Sequence, residues 1–340
     1  MAPPMKRMSF LMNTWVYGEA VHEDPEQARL ALDAAFLEIR RLEGIYSRFL
    51  ESSVVSRINR EAALRPVPVE AEVAGLLERC LGISQKTDGA FDITAAPLSD
   101  LWRSAEKRGF APASDEIAEA LQRTGHRYLR LDRTDSTVAF LRRGMALDLG
   151  GVGKGYILDR AAEMLKSAGI TGGLLNAGGN ILSWGREGIS VDVRDPLDED
   201  RALSTLFLKN EAVATSANDE RFFRMDGRRY GHILDPRTGW PAGGDMVSAS
   251  VVASDGMTAD ACSTAVFVMG EARGAAAAGE LGARIITAHR RPTEVPHATR
   301  EFGLEYSASD EKLLSNHQPL PGNFCRHADG LRTAGRVGRV

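Results

Sequence analysis

The 340-residue chain has only three cysteines, Cys80, Cys262 and Cys325, an odd number without metal-ligand spacing. That scarcity argues against a disulfide framework and makes a reducing cytoplasm the default setting. No apolar stretch approaches the ~20 residues that span a bilayer. The opening Met1-Ala-Pro-Pro-Met-Lys-Arg-Met8 has two basic residues but neither a signal-peptide core nor a lipidatable cysteine. The expectation is a cytoplasmic protein, or a periplasmic one if a leader has been removed. Neither sign of charge dominates: 42 Lys plus Arg face 46 Asp plus Glu, a net charge of −4. That near balance lowers nucleic-acid binding among the candidate classes. Repeats at solenoid periods are absent, as are the Gly-x-Ser-x-Gly elbow, HExxH, paired Cys-x-x-Cys and the kinase motifs.

Apolar residues make up 43% of the sequence, enough for a sizeable core. One strand is expected over 8–17. Asp24-Pro25-Glu26-Gln27 then reads as a helix start with Asp24 as N-cap, and apolar spacing carries that helix to about Tyr46. Further helices are expected over 70–86 and 114–122. From Tyr128 the rhythm turns to strands, over 128–132, 138–141, 146–149, 173–184, 189–194, 203–208, 212–215, 247–253 and 284–288. Helices are expected among these strands over 156–167, 258–269 and 271–281. Asp226-Gly227 between apolar segments is the strongest hairpin signal in the chain. The pattern predicts an α+β protein, with one domain over 1–305 and a polar tail over 306–340.

Several segments have the composition of a chemical site. Leu147-Asp-Leu-Gly-Gly-Val-Gly-Lys-Gly155 runs from an apolar stretch into a glycine-rich turn and a helix. Glycines let backbone amides approach a phosphate, and a helix N-terminus beside a lysine favours negative charge. The spacing is neither a Walker A loop nor the dinucleotide fingerprint, so an ordinary glycine-rich turn fits the segment as well. Asp260 and Thr264 lie one helical turn apart and suit a hard cation such as Mg2+, although an Asp near a helix start also serves as a cap. His232 precedes Asp235-Pro-Arg-Thr-Gly239, a turn by composition. It reads as a general base with Asp235 as its orienter, or as a plain loop histidine. Gly89-Ala-Phe-Asp92-Ile-Thr94 and Trp102 could shape a small-molecule pocket or simply pack. Thr215-Ser216-Ala217 and Asn176-Ala-Gly-Gly-Asn180 are weak signals, and the other six histidines show no partner pattern.

Taken together and in this order, the segments resemble the ApbE family, the FAD:protein FMN transferases. The resemblance rests on Met12-Asn-Thr14, Tyr46-Ser-Arg-Phe49 with Ser53 and Asn59, and Gly89-Ala-Phe-Asp-Ile-Thr94 with Pro97-Leu98 and Leu101-Trp102. It continues through 147–159, His232-Ile-Leu-Asp-Pro-Arg-Thr-Gly239 and Ala259-Asp-Ala-Cys-Ser-Thr264, so that it spans about 12–288. It implies an α+β, T-fold-like arrangement of mixed or antiparallel sheets with packed helices, and a FAD site in a cleft between sub-domains. The implied reaction is Mg2+-dependent attachment of FMN from FAD to a Thr or Ser of a flavoprotein subunit, with release of AMP. Met12, Phe49, Ala90, Phe91, Asp92, Asp148, Lys154 and Ile233 would then contact FAD. The Gly151 carbonyl, Asp260 and Thr264 would hold Mg2+ or another divalent cation, and His232 and Lys154 would be catalytic.

Three departures stand out against the family pattern. Asn13 replaces the usual Gly after Met12, Gly151 stands where Ala is common, and Ala217-Asn218 follow Thr215-Ser216 in place of Gly and an aromatic. Two other activities suit the same residues: Mg2+-dependent hydrolysis of FAD to FMN and AMP, and FAD carriage without chemistry. A retained base argues against carriage, since storage needs none.

Overall fold

A computed structural model describes residues 3–185, 187–196, 198–218, 222–225, 227–290 and 304–308. The chain opens with a hairpin of β1 (Met5–Leu11) and β2 (Thr14–Val21), paired from Met5–Ala20 to Leu11–Thr14. The single strand expected over 8–17 is therefore two. Met12 and Asn13 form the turn at φ 52° and 56°, the left-handed pair that a two-residue hairpin loop demands. Asn tolerates that region, which explains how it can replace the family's usual glycine.

Helix α1 (Pro25–Tyr46) is capped as its sequence predicts, with the Asp24 carboxylate accepting from Glu26 N at 2.9 Å. After it come α2 (Val54–Glu61), the short β3 (Val67–Pro68), α3 (Ala71–Lys86), α4 (Ala96–Arg108) and α5 (Ser114–Gln122). Strands β4 (Leu129–Asp132) and β5 (Thr137–Phe140) join β3 in a small sheet of order β3-β5-β4. The strand expected over 146–149 does not form. Ala146 makes one isolated bridge to Ala95, and the backbone of Leu147 bonds instead to the Asn59 side chain, at 2.7 Å from its N–H and 3.0 Å to its carbonyl.

The second half lays helices over a larger sheet. Helix α6 (Gly153–Ser167) leads to β6 (Gly172–Ala177) and β7 (Asn180–Trp184), two strands where one was expected over 173–184. Gly178 and Gly179, at φ 56° and 88°, make that turn. Then follow β8 (Ile189–Asp195), β9 (Asp198–Leu208), β10 (Ala212–Ala217), and the hairpin of β11 (Phe222–Met225) and β12 (Arg228–Gly231) predicted from Asp226-Gly227. The last elements are β13 (Met246–Ala253), α7 (Gly256–Met269), α8 (Glu271–Glu280), β14 (Arg284–Arg290) and β15 (Leu304–Ala308). Strand β15 crosses position 305, where the sequence places the end of the domain, and 309–340 lie outside the described residues.

Eight strands form an antiparallel sheet of order β1-β2-β6-β7-β10-β13-β14-β15. Period-two alternation sends Ala212, Ala214, Ala249, Val251 and Ala253 to a face packed by α1, α6 and α7, while Ile181, Val213, Val252 and Ile286 face the β8–β9 hairpin. The small side chains on the helical face bring α7 close to β10. A third cluster joins α4, α5 and β11 around the fully buried Trp102. Among the described residues no helix is long and apolar enough to cross a membrane.

Candidate active site

Helices α6 and α7 meet backbone to backbone. A Cβ on Gly155 would lie 2.0 Å from the Gly256 carbonyl oxygen, so glycine is required here by a close approach and not by a turn. One turn later on α6, the Asp159 carboxylate accepts from Gly256 N at 2.6 Å and Met257 N at 2.8 Å. Burial pushes that carboxyl up to about 7 despite the two amide donors. Asp255 caps α7 through Thr258 N at 2.9 Å. Burial opposes its charge, but the bonds from Thr258 and from Arg79 prevail and hold it below the usual carboxylate range.

This junction gathers the residues suited to a cation. Asp260 is buried, with Oδ2 accepting from Gly155 N at 3.0 Å and Oδ1 facing Lys154 Nζ at 3.8 Å. Thr264 stands on the same face, and a Cβ on Gly151 would sit 3.1 Å from its Oγ1. An alanine there would therefore press on the hydroxyl, so Gly151 leaves room where the family commonly has a methyl. Ser216 Oγ, projecting from β10 onto the helical face, lies 2.8 Å from Ser263 Oγ and 3.3 Å from Thr264 Oγ1, and Ser263 Oγ donates to the Asp260 carbonyl at 2.8 Å. Among the described residues no group of three or more His, Cys, Asp or Glu side chains gathers to hold a metal. One carboxylate, one hydroxyl and a backbone carbonyl are nevertheless hard oxygen donors that suit Mg2+ with water or phosphate completing its shell.

At the start of the glycine-rich turn, Asp148 Oδ1 accepts from Gly150 N at 2.9 Å and Oδ2 pairs with Arg48 Nη1 at 2.9 Å. Arg48, largely buried, also reaches Asp100 at 2.5 Å. Phe49 is 70% exposed and lies against the guanidinium groups of both Arg48 and Arg103. Ala90 and Phe91 are buried, and the Phe91 ring comes within 3.8 Å of where a Gly151 Cβ would be. The Asp92 carboxylate is committed within the protein. Oδ1 accepts from Thr94 N at 2.8 Å and Thr94 Oγ1 at 2.6 Å, and Oδ2 from His126 N at 2.6 Å with His126 Nδ1 at 3.2 Å. Met12 lies in the β1–β2 turn and packs against the main hydrophobic core, and Ile233, in the segment after β12, belongs to that core.

His232 is half-buried in the segment after β12. Its expected orienter, Asp235, instead grips Arg237, with Nε and Nη2 each at 2.8 Å and the Arg237 N–H at 2.9 Å. The turn that follows docks on α4, where Trp102 Nε1 donates to the Gly239 carbonyl at 2.9 Å. Asp235-Pro-Arg-Thr-Gly239 is thus a structural turn that sets the place of His232. Sequence reasoning missed Arg48, Asp159 and the Asp92–His126 pair, and weighed Ser216 only as part of a weak signal. Arg48 and Asp159 lay inside quoted segments, but nothing in the chain tied them to partners about 100 residues away.

Comparison with known proteins agrees with this architecture. The model of the ApbE family matches residues 11–286. A Klebsiella pneumoniae protein named FAD:protein FMN transferase is 33% identical over 243 residues, covering 71% of this chain and 76% of the relative. Its namesake from Treponema pallidum is 33% identical over 262 residues, 72% of each chain. The crystal structure of the ApbE protein of Thermotoga maritima superposes with a TM-score of 0.77 at 33% identity, covering 84% of this chain and 94% of that one. The Pseudomonas stutzeri flavinyl transferase ApbE, at 23% identity and a TM-score of 0.78, shares the fold. With the family pattern matched from the first hairpin to β14, this chain belongs to the ApbE family.

Proposed function

We propose that the protein transfers the FMN half of FAD to a Thr or Ser hydroxyl of a target flavoprotein and releases AMP. The observation that carries this reading is the meeting of Gly151 and Lys154, at the start of α6, with Asp260 and Thr264 on α7. A lysine and hard oxygen ligands gathered at one helix N-terminus, whose dipole favours negative charge, are equipment for a pyrophosphate. The names of the relatives at 33% identity support the same reaction.

In the proposed reaction the acceptor oxygen attacks the phosphorus of the FMN half. A new P–O bond forms, the P–O bond to the pyrophosphate bridge breaks, and AMP departs with the bridging oxygen. His232 takes the hydroxyl proton, a task suited to an imidazole near neutral pH. Lys154 draws the negative charge of the phosphoryl group. A divalent cation held by the Gly151 carbonyl, Asp260 and Thr264 would supply Lewis-acid neutralisation of phosphoryl oxygens. Met12, Phe49, Ala90, Phe91, Asp148 and Ile233 are the remaining FAD-facing set. Asp92 holds the 89–94 loop in shape through Thr94 and His126.

The test incubates the purified protein with FAD, Mg2+ and an acceptor fragment bearing a candidate Thr or Ser, following AMP and the intact mass of the fragment together. AMP with a flavinylated fragment is expected. AMP without a mass change would replace transfer by hydrolysis, and bound FAD with neither product would replace it by carriage.

A further inference from the structure

For all three contacts at the α7–β10 interface to be hydrogen bonds at once, the hydroxyls have one arrangement of their protons. The Asp260 carbonyl has no proton, so Ser263 must donate to it across 2.8 Å. Ser263 has then spent its single proton and can only accept from Ser216, 2.8 Å away. Ser216 is left with lone pairs alone toward Thr264 Oγ1 at 3.3 Å, so Thr264 donates to Ser216. The chain runs one way, from Thr264 through Ser216 and Ser263 to the Asp260 carbonyl.

This direction fixes what Thr264 shows on its other side. Its proton points to β10, and its oxygen, which a Gly151 Cβ would approach to 3.1 Å, turns lone pairs toward the glycine-rich turn. A hydroxyl that presents only lone pairs is a cation ligand, and one that presents its proton is not. We propose that Ser216 and Ser263 are positioning residues that orient the Thr264 hydroxyl as a ligand for a divalent cation. The proposal rests on the cation reading of Asp260 and Thr264 but not on flavin transfer.

The same assignment gives Asp260 two parts in the site: its carboxylate faces Lys154, and its backbone carbonyl ends the hydroxyl chain. Removing Ser216 takes away the acceptor for the Thr264 proton. Removing Ser263 instead frees the Ser216 proton to turn back toward Thr264. Both changes spoil the direction, the first more severely.

The probe is Mn2+ alone, titrated into the purified full chain and followed by electron paramagnetic resonance, so that no turnover enters the readout. Ser216→Ala is expected to raise the Mn2+ Kd roughly tenfold, at the lower end of the effect of residues that orient metal ligands. Ser263→Ala is expected to raise it less, and Ser216→Thr, which keeps the hydroxyl, to restore parental affinity. Thermal melting of each variant separates a lost ligand orientation from a lost fold. Parental Mn2+ affinity in a folded Ser216→Ala, with Asp260→Ala impaired, overturns the hydroxyl chain alone. Parental affinity in both overturns the cation reading with it, while AMP release and acceptor mass still judge the transferase independently.

Discussion

The α6–α7 junction and the segment carrying His232 bring their residues into place by different means. At the junction, two helices touch through the backbones of Gly155 and Gly256, and Asp159 grips the first amides of α7. Lys154, Asp260 and Thr264 inherit their positions from helical geometry and need no turn to place them. His232 sits beside a turn held by the Asp235–Arg237 pair, by backbone bonds such as Asp235 N–H to the Trp240 carbonyl, and by a bond from Trp102. The residues of the junction are placed by core packing, and the His232 segment by the bonds of a turn. Damage to the first should therefore cost stability and metal binding together, whereas damage to the second should fall mainly on rate.

His232→Ala tests the second half most directly. It should slow transfer on the order of 10²–10⁴-fold, the usual contribution of a general base, with FAD binding nearly intact. A parental transfer rate would remove His232 from the chemistry. Gly155→Ala strikes the first half. Its methyl would meet a backbone oxygen that cannot step aside, and a loss of about 3 kcal/mol or more is expected, with Mn2+ affinity falling alongside. If melting is unchanged, the close approach of the helices is wrong.

Asp159 gives a pH test of the same junction. Its carboxyl is raised in the fold to about 7 from an ordinary 3.8, so the ionised form is the disfavoured one. The stability this group contributes is complete below about pH 4 and declines as pH rises through about 7. Asp159→Asn removes the titration, so the melting temperature of the variant relative to the parent should climb between about pH 4 and pH 7 and then level off. A constant difference across that range would show that Asp159 ionises freely. Trp102→Phe is the mildest probe of the turn. It removes the bond to the Gly239 carbonyl, about 1 kcal/mol, and leaves a gap in the buried cluster around Trp102, so melting and kcat should both fall while the FAD Kd stays the same.

Local signals made parts of this fold legible. Asp24-Pro25 announces α1, and Asp226-Gly227 announces the β11–β12 hairpin, because each motif satisfies backbone groups within a few residues. Leu147 misled for a physical reason: the Asn59 amide supplies both partners that a neighbouring strand would give, so a strand-like sequence needs no strand beside it. Helix α4, which was not expected from the sequence, starts at Ala96-Pro97 with the proline in its first turn. At the site, Asp260 and Thr264 were visible from their spacing. Ser216 was not, because its meeting with Thr264 depends on the register of β10 against β13 and on the small residues that let α7 approach the sheet.

The Gly155–Gly256 contact has a thermodynamic consequence. No layer of side chains separates the two backbones, so a shift of the glycine-rich turn reaches Asp260 and Thr264 undamped. FAD at the first and a divalent cation at the second would then be coupled ligands. Linkage makes such coupling reciprocal: the factor by which the cation tightens FAD must equal the factor by which FAD tightens the cation. Two independent titrations, each run with and without the other ligand, would have to return one number.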